Sequence, residues 1–276
     1  IFKKLETLSS NYSNLYIIDL YKEFAKSGVE KCFDSRNWYF AHCHLSSHGL
    51  SIISESINKV LNHLYAQPSK VLVLDCDNTL WNGVIGEDGI KGVDLGSDGI
   101  GSAFKDFQYE IKNIMAKGFI LAIASKNNES DVWNMFKNHD AMVLNKSDIV
   151  SWRINWIDKS INIKEIADEL GLALNSFVFW DDNPIERDKM KIQNPDVKVI
   201  DAPKNVLEWA SLLRNLDCFS KSKITHEDIK KSDQYKNRAK FQRDASSAIN
   251  EEKYLESIKL SPKILTINDS NLARAS

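Results

Sequence analysis

Two kinds of apolar pattern alternate along the chain from Val71 onward. In VLVLDCD (71–77), FILAIAS (119–125), AMVLN (141–145), SFVFWDD (176–182) and VKVID (197–201), nearly every early position is apolar. Such runs read as strands buried on both faces. Between them, apolar residues recur every three or four positions, which predicts helices over 102–117, 129–138, 160–170 and 205–214. The first of these sets Phe104, Phe107, Ile111, Ile114 and Met115 on one side, a face made for packing. Gly118 and Gly171 stand just past helix ends, where a left-handed residue closes the last turn. Strand and helix in strict alternation predict an α/β fold built on a doubly wound parallel sheet.

The flanks read differently. YIIDLYKEF (16–24) has the pattern of a strand running into a helix, and 49–65 carries a helical stripe at Ile52, Ile53, Ile57, Val60, Leu61 and Leu64. AQPSK (66–70) reads as a linker in which Pro68 ends that helix. The Gly-rich stretch 81–101 is expected to form a β-hairpin flap followed by a loop, and no segment is long enough for a large cap domain. Residues 221–276 are charged and Lys-rich, with a helix expected from Thr225 into the 240s and a strand-like segment at 258–267. The opening at Ile1 and the polar close read as an excised piece of a longer chain.

Composition narrows the function classes. With 276 residues, 43% hydrophobic and 27% charged, the chain can bury a sizeable core, and a net charge of -2 leaves no footprint for nucleic acid or an anionic membrane. No apolar run approaches the roughly 20 residues that span a bilayer, and IFKKLETLSSNYS lacks a signal-peptide layout, so a cytoplasmic location is expected. The cysteines Cys32, Cys43, Cys76 and Cys218 are scattered, which suits reduced thiols. Cys32, Cys43 and the nearby His42, His44 and His48 match no familiar zinc spacing.

The candidate chemistry lies at strand ends. VLVLDCDNTLW places Asp75 and Asp77 two apart, on one side of a strand end where open α/β sheets bind ligands. Later segments bring Ser125 and Asn127 in SKNN, Lys159 in NWIDKSINI, and Asp181 and Asp182 in FVFWDDN. Four carboxylates converging on a phosphate dianion need a hard cation between them, and oxygen donors of this kind suit Mg²⁺. Asp75 is then the carboxylate nucleophile at phosphorus, and Asp77 the acid that protonates the leaving oxygen and afterwards activates the acceptor. Ser125 donates to a phosphoryl oxygen, Asn127 is a candidate substrate contact or a turn residue, and Lys159 neutralises developing charge. Arg187 reads as a solvated helix residue, with a substrate contact as the alternative. Cys76 alternates away from the two aspartates, so its thiol is expected to be buried. A phospho-receiver module uses similar groups, but its lysine comes last, whereas Lys159 precedes the second acidic pair.

DCDNT, Ser125, Lys159 and FWDD, in this order over about residues 70–202, resemble the four motifs of the haloacid dehalogenase (HAD) superfamily. That resemblance implies Mg²⁺ held by Asp75, the backbone carbonyl of Asp77 and Asp181, with Asp182 close behind. DCDNTLWNGVIGEDG, SKNNES, NWIDKSINI and FVFWDDNPIER are similar to a narrower group, the FkbH-like proteins of subclass IIIC. On that basis 1–68 is the closing part of an SGNH-type hydrolase-like region, 69–220 the phosphotransferase domain, and 221–276 a helical linker into a truncated acetyltransferase-like domain. His44 in HLSSHG looks like the SGNH catalytic-histidine block, but Ala41 stands where its aspartate would lie. The resemblance implies a phosphorylated small-molecule substrate: 1,3-bisphosphoglycerate is dephosphorylated and its glyceryl unit is loaded on an acyl carrier protein. Alternatives are a phosphatase of a small phosphorylated sugar in surface polysaccharide biosynthesis and a non-catalytic module that binds a carrier protein.

Overall fold

The computed structural model describes residues 2–12, 14–65 and 69–219, together with residues 234, 235, 237–239 and 241. The expected linker therefore lies largely outside the described residues, as does most of 221–276, including the expected strand at 258–267; the described positions between 234 and 241 are helical.

The organising element is β1 (Val71–Leu74), whose side chains are buried on both faces. β2 (Ile120–Ser125), β3 (Ile149–Ile154), β4 (Phe177–Trp180) and β5 (Lys198–Val199) complete a five-stranded parallel sheet in the order β3-β2-β1-β4-β5. The chain thus builds outward from β1 in one direction, then crosses back to build in the other. That reversal places a crevice at the carboxyl ends of the central strands.

Strand alternation divides the core into two layers. Leu72, Leu74 and Cys76 face a cluster with Phe104, Phe107, Ile111 and Ile114, all from α6 (Gly99–Ala116). Val71 and Val73 face the other way, onto Ile163, Ile166, Ala167 and Leu170 of α8 (Lys159–Leu170) and Met190 of α9 (Pro184–Gln193). α7 (Glu129–Asn138) and α10 (Trp209–Arg214) join the first layer through Met135 and Phe136, and through Trp209 and Leu213. The predicted helix ends hold: Gly118 has φ 86°, and Gly171 (φ 60°) closes α8 in the left-handed region.

Three expectations need correction. No strand forms at 141–145; Val143 and Leu144 N–H both donate to Gln108 Oε1 (2.9 and 3.1 Å), so a side chain takes the amides that a ladder would use. The third strand is instead IVSWRI, less uniformly apolar because it lies at the sheet edge, with Arg153 turned onto Glu165 and Glu169 of α8, each at 2.7 Å.

The flap is helical. α5 (Ile85–Gly92) takes the place of the hairpin, and only Asn82 and Asp94 pair across its base. Glu87 and Asp88 in its first turn favour a helix start, and Asp88 Oδ2 accepts the Val84 N–H at 2.8 Å. Gly83 leads into this turn at φ 112°, and a Cβ there would meet Asp88 Oδ2 at 2.7 Å.

At the N-terminal end, 16–19 form no strand, and the chain passes into α2 (Leu20–Ser27), which Asp19 caps. Among the described residues of this region only helices and one isolated bridge, Phe33 to Leu45, are found. A segment without a neighbouring strand has no ladder to join. α2 packs against the long α4 (Ser47–Tyr65), and α1 (Phe2–Asn11) and α3 (Asn37–Ala41) are the other described α-helices of this region.

Gln108 is fully buried and ties three backbone groups together, since its Nε2 also donates to Leu80 O at 2.8 Å. Gln108→Leu keeps the bulk but orphans them. A loss of about 3 kcal/mol in urea unfolding is expected, and a loss under about 1 kcal/mol would count against this accounting.

Candidate functional site

The carboxyl ends of the central strands open into one pocket of about 200 Å³, lined by Asp75, Asp77, Asn78, Ser125, Lys126, Asn127, Lys159, Asp182, Asn183 and Glu186. Of the residues singled out in the sequence, Asp75, Asp77, Ser125, Asn127, Lys159 and Asp182 lie on its wall, and Asp181 sits just beneath, fully buried.

Each arrives by a short, definite path. Asp75, one residue past β1, still donates its backbone N–H to Trp180 O (3.2 Å) and so remains tied to the sheet. Asn78 then turns the chain in the left-handed region (φ 52°), which asparagine tolerates, and its Oδ1 accepts Gly83 N–H at 2.9 Å. Lys159 opens α8 and is only 4% exposed. Asn183 caps α9 by accepting Ile185 N–H, with Pro184 in the first turn.

Lys159 is the hub. Its Nζ lies 2.7 Å from Asp181 Oδ2 and 3.0 Å from Asp75 Oδ1. Burial disfavours the ammonium, but Asp75 and Asp181 outweigh it and hold its pKa above the ordinary lysine value. Asp75 Oδ1 has this ion pair yet no donor in hydrogen-bond geometry. One carboxylate oxygen each from Asp75, Asp181 and Asp182 lie within 4.8 Å of one another. Among the described residues this is the one group of acidic, histidine or cysteine side chains placed to hold a metal ion. Burial, and next the Asp75 charge, push Asp181 up to about 7 and raise Asp182 as well, against the pull of Lys159.

Asp77 is held apart from that trio. Its Oδ1 accepts Trp81 Nε1–H (2.9 Å) and Ile85 N–H (3.1 Å), and its Oδ2 accepts Asn127 Nδ2–H (2.8 Å). Burial is the largest influence on it and raises its pKa despite these donors. Asn127 therefore has its amide nitrogen engaged by Asp77, with Ser125 Oγ 3.5 Å away. Cys76, on the other face, is fully buried, and burial pushes its thiol well above the usual range, as alternation led us to expect of its placement.

The solved structures add an independent comparison. No family model and no curated protein matches the chain. The N-terminal part of a Bacteroides fragilis protein, containing a phosphatase domain and crystallised in complex with magnesium, superposes at a TM-score of 0.70 with 35% identity over 78% of this chain. The fold is HAD-like. This chain spans 58% of that solved chain. A HAD superfamily (subfamily III A) hydrolase from Legionella pneumophila aligns at 19% identity over 70% of this chain and 98% of that one, but its TM-score of 0.37 carries no argument. No described helix is long and apolar enough to cross a membrane.

Sequence reading passed over Asn78, Lys126, Asn183 and Glu186 in the wall of this pocket; all four lie within or beside the quoted motifs, so adjacency was the available signal. Lys126 Nζ meets Glu186 Oε1 at 2.8 Å, closing one side of the pocket. Arg187 is the clearest misreading. Far from being solvated, its Nη1 donates to Asp181 O (2.8 Å) and Asp182 O (2.7 Å). Side chains in the first turn of a helix lean back toward its N-terminus, here the β4 end.

The raised Asp181 gives a stability prediction. Its folded-state value of about 7 exceeds the ordinary 3.8, so the stability this group confers is complete below 3.8 and is lost as pH rises through about 7. With a chelator present, Asp181→Asn, which stays neutral, is expected to melt above wild type at pH 8, and the gap is expected to close toward pH 4. A gap that widens on acidification would reverse the sign of this assignment.

Proposed function

We propose that the chain is a magnesium-dependent phosphoryl-transfer enzyme of the phosphatase type that works through an aspartyl-phosphate on Asp75. The observation that carries this reading is the trio of Asp75 and Asp181, both buried, and the half-buried Asp182, with Lys159 as counter-ion and Asp77 alongside in the same pocket. The donor set fits Mg²⁺: three hard carboxylate oxygens lie close together with Lys159 as the neighbouring cation, and Asp75 Oδ1, although 3.0 Å from that ammonium, has no donor in hydrogen-bond geometry. The magnesium in the phosphatase-domain structure from Bacteroides fragilis supports the same choice. Asp75, Asp181 and Asp182 would hold the ion, together with the backbone carbonyl of Asp77 that the sequence resemblance implies. When bound, it would neutralise the converging carboxylates and the phosphoryl oxygens.

The protein's own groups then supply the steps. A carboxylate oxygen of Asp75 attacks phosphorus, and the bond from phosphorus to the leaving oxygen breaks. Asp77, whose raised pKa favours the protonated form, gives its proton to that oxygen. In the second half Asp77 takes a proton from the acceptor, which attacks the aspartyl-phosphate and frees Asp75. Ser125 and Lys159 hold the transferring oxygens and their charge.

The flap is a short helical segment kinked at Gly89 (φ 65°, ψ 175°), and α5 supplies none of the pocket's lining, so the pocket stays accessible to a large acceptor. That favours a small phosphorylated donor with a macromolecular acceptor. 1,3-bisphosphoglycerate with an acyl carrier protein is the pair implied by the sequence resemblance: its ester phosphoryl group would pass through Asp75 to water, and the carrier would take the glyceryl acyl group with the 1-phosphate as leaving group; a small sugar phosphate is the alternative donor. A module that only binds its partner would not need the full set of Asp75, Asp77, Lys159 and Asp181.

Phosphate release from a panel of phosphometabolites, with and without Mg²⁺, tests the reading. Asp75→Asn keeps the shape and removes the nucleophile, so turnover is expected to fall more than about 100-fold with circular dichroism unchanged. Residual turnover near wild type would refute the assignment. Cys76→Ala is expected to keep phosphoryl transfer within about tenfold of wild type, because a buried, protonated thiol is a poor nucleophile. Mass spectrometry after incubation with an activated glyceryl phosphate supplies the contrary result: an acyl adduct on Cys76 that disappears in the variant.

A further inference from the structure

Arg187 is in an unusual position for a guanidinium. Its side chain is 12% exposed, and its Nε is buried without a hydrogen-bond partner; the carboxylate beside it, Asp201 Oδ1, is 3.9 Å away and is itself taken by Lys191 at 2.5 Å. A cation drawn out of solvent this far, with an incomplete set of partners, costs stability unless its remaining contacts matter. Those contacts are the carbonyl oxygens of Asp181 and Asp182, both reached by the same Nη1.

The two carbonyls follow the end of β4 at Trp180 and lie beyond its last ladder pair, so no neighbouring strand fixes the planes of their peptide units. Arg187 supplies that constraint. Once both carbonyls point at the guanidinium, the side chains of Asp181 and Asp182 are left to meet Asp75. The turn is closed from inside as well, since Asn183 N–H donates to Asp181 Oδ1 at 2.9 Å. Thr79 Oγ1, 3.5 Å from Asp182 Oδ1, is a weaker restraint on the second aspartate. The guanidinium also places a positive charge behind two of the carboxylates that must be brought together.

We propose that Arg187 is a positioning residue: by fixing the Asp181–Asp182 turn it sets how tightly the carboxylate trio holds a divalent cation. This rests on the magnesium reading above. The argument is the one that applies to groups oriented from behind at metal sites generally, where loss of the supporting hydrogen bonds weakens metal binding without removing a ligand.

The test is calorimetric titration of Mg²⁺ into the full chain for wild type, Arg187→Gln and Arg187→Lys, with hydrogen exchange of the Asn183 amide measured in chelator. Arg187→Gln is expected to weaken Mg²⁺ binding about tenfold or more. Arg187→Lys, which keeps the charge but not the rigid fork, is expected to fall between Gln and wild type, and the Asn183 amide to exchange faster in both. A purely structural residue would lower the melting temperature and leave the Mg²⁺ affinity alone; affinities within about twofold of wild type in the folded variants would therefore overturn the proposal. If Arg187→Gln does not fold, Arg187→Lys decides by the same criterion. Wild type that binds no Mg²⁺ would overturn the functional reading and this proposal together, whereas wild-type binding with unaltered variants would overturn this one alone.

Discussion

The structure turns on how much negative charge is brought to one place. Asp75, Asp77, Asp181 and Asp182 meet at the carboxyl ends of β1 and β4, and Lys159 is the cation buried among them. At these separations and out of bulk water, like charges repel strongly. Burial first, and the charge of Asp75 after it, raise Asp181 and Asp182, and burial raises Asp77 against its three donors. A sheet whose central strand is apolar on both faces is what makes the concentration tolerable, because the fold is held by its two layers and not by the site.

The layers also explain why the pocket is where it is. β1 has no exposed face, so its first polar side chains can appear only where the strand leaves the sheet. The same holds for β2, which is buried up to Ser125, and for β4, which is buried through Trp180. Polar residues that interrupt such runs are thereby gathered at one edge, and the reversal of strand order at β1 leaves room for a ligand between them.

What could be read from the sequence follows that logic. The central strands announce themselves because burial on both faces demands unbroken apolar runs, and Asp75, Ser125 and Asp181 announce themselves as the points where those runs stop. β3 escaped notice because an edge strand can carry Ser151 and Arg153, while the more apolar AMVLN is satisfied by Gln108 from a helix 35 residues earlier in sequence from Val143. The flap escaped because its helix rests on one pair, Asn82 with Asp94, and on acidic residues near its start, signals shared with a turn. Arg187 escaped because charge alone reads as solvent-facing; its role depends on where a first-turn side chain leans once the helix is docked against β4.

The three donors to Asp77 come from different parts of the molecule: Trp81 from the β1 loop, Asn127 from the end of β2, and the Ile85 amide from the first residue of the flap helix. The last of these comes from the main chain, so it outlasts any change of side chain at position 85 short of proline, whereas the indole and amide donors each depend on one residue type. The carboxylate that faces Asp75 across the pocket is thereby tied both to the sheet edge and to the path the backbone takes after β1, and a substitution that redirects the turn at Gly83 reaches Asp77 without touching it.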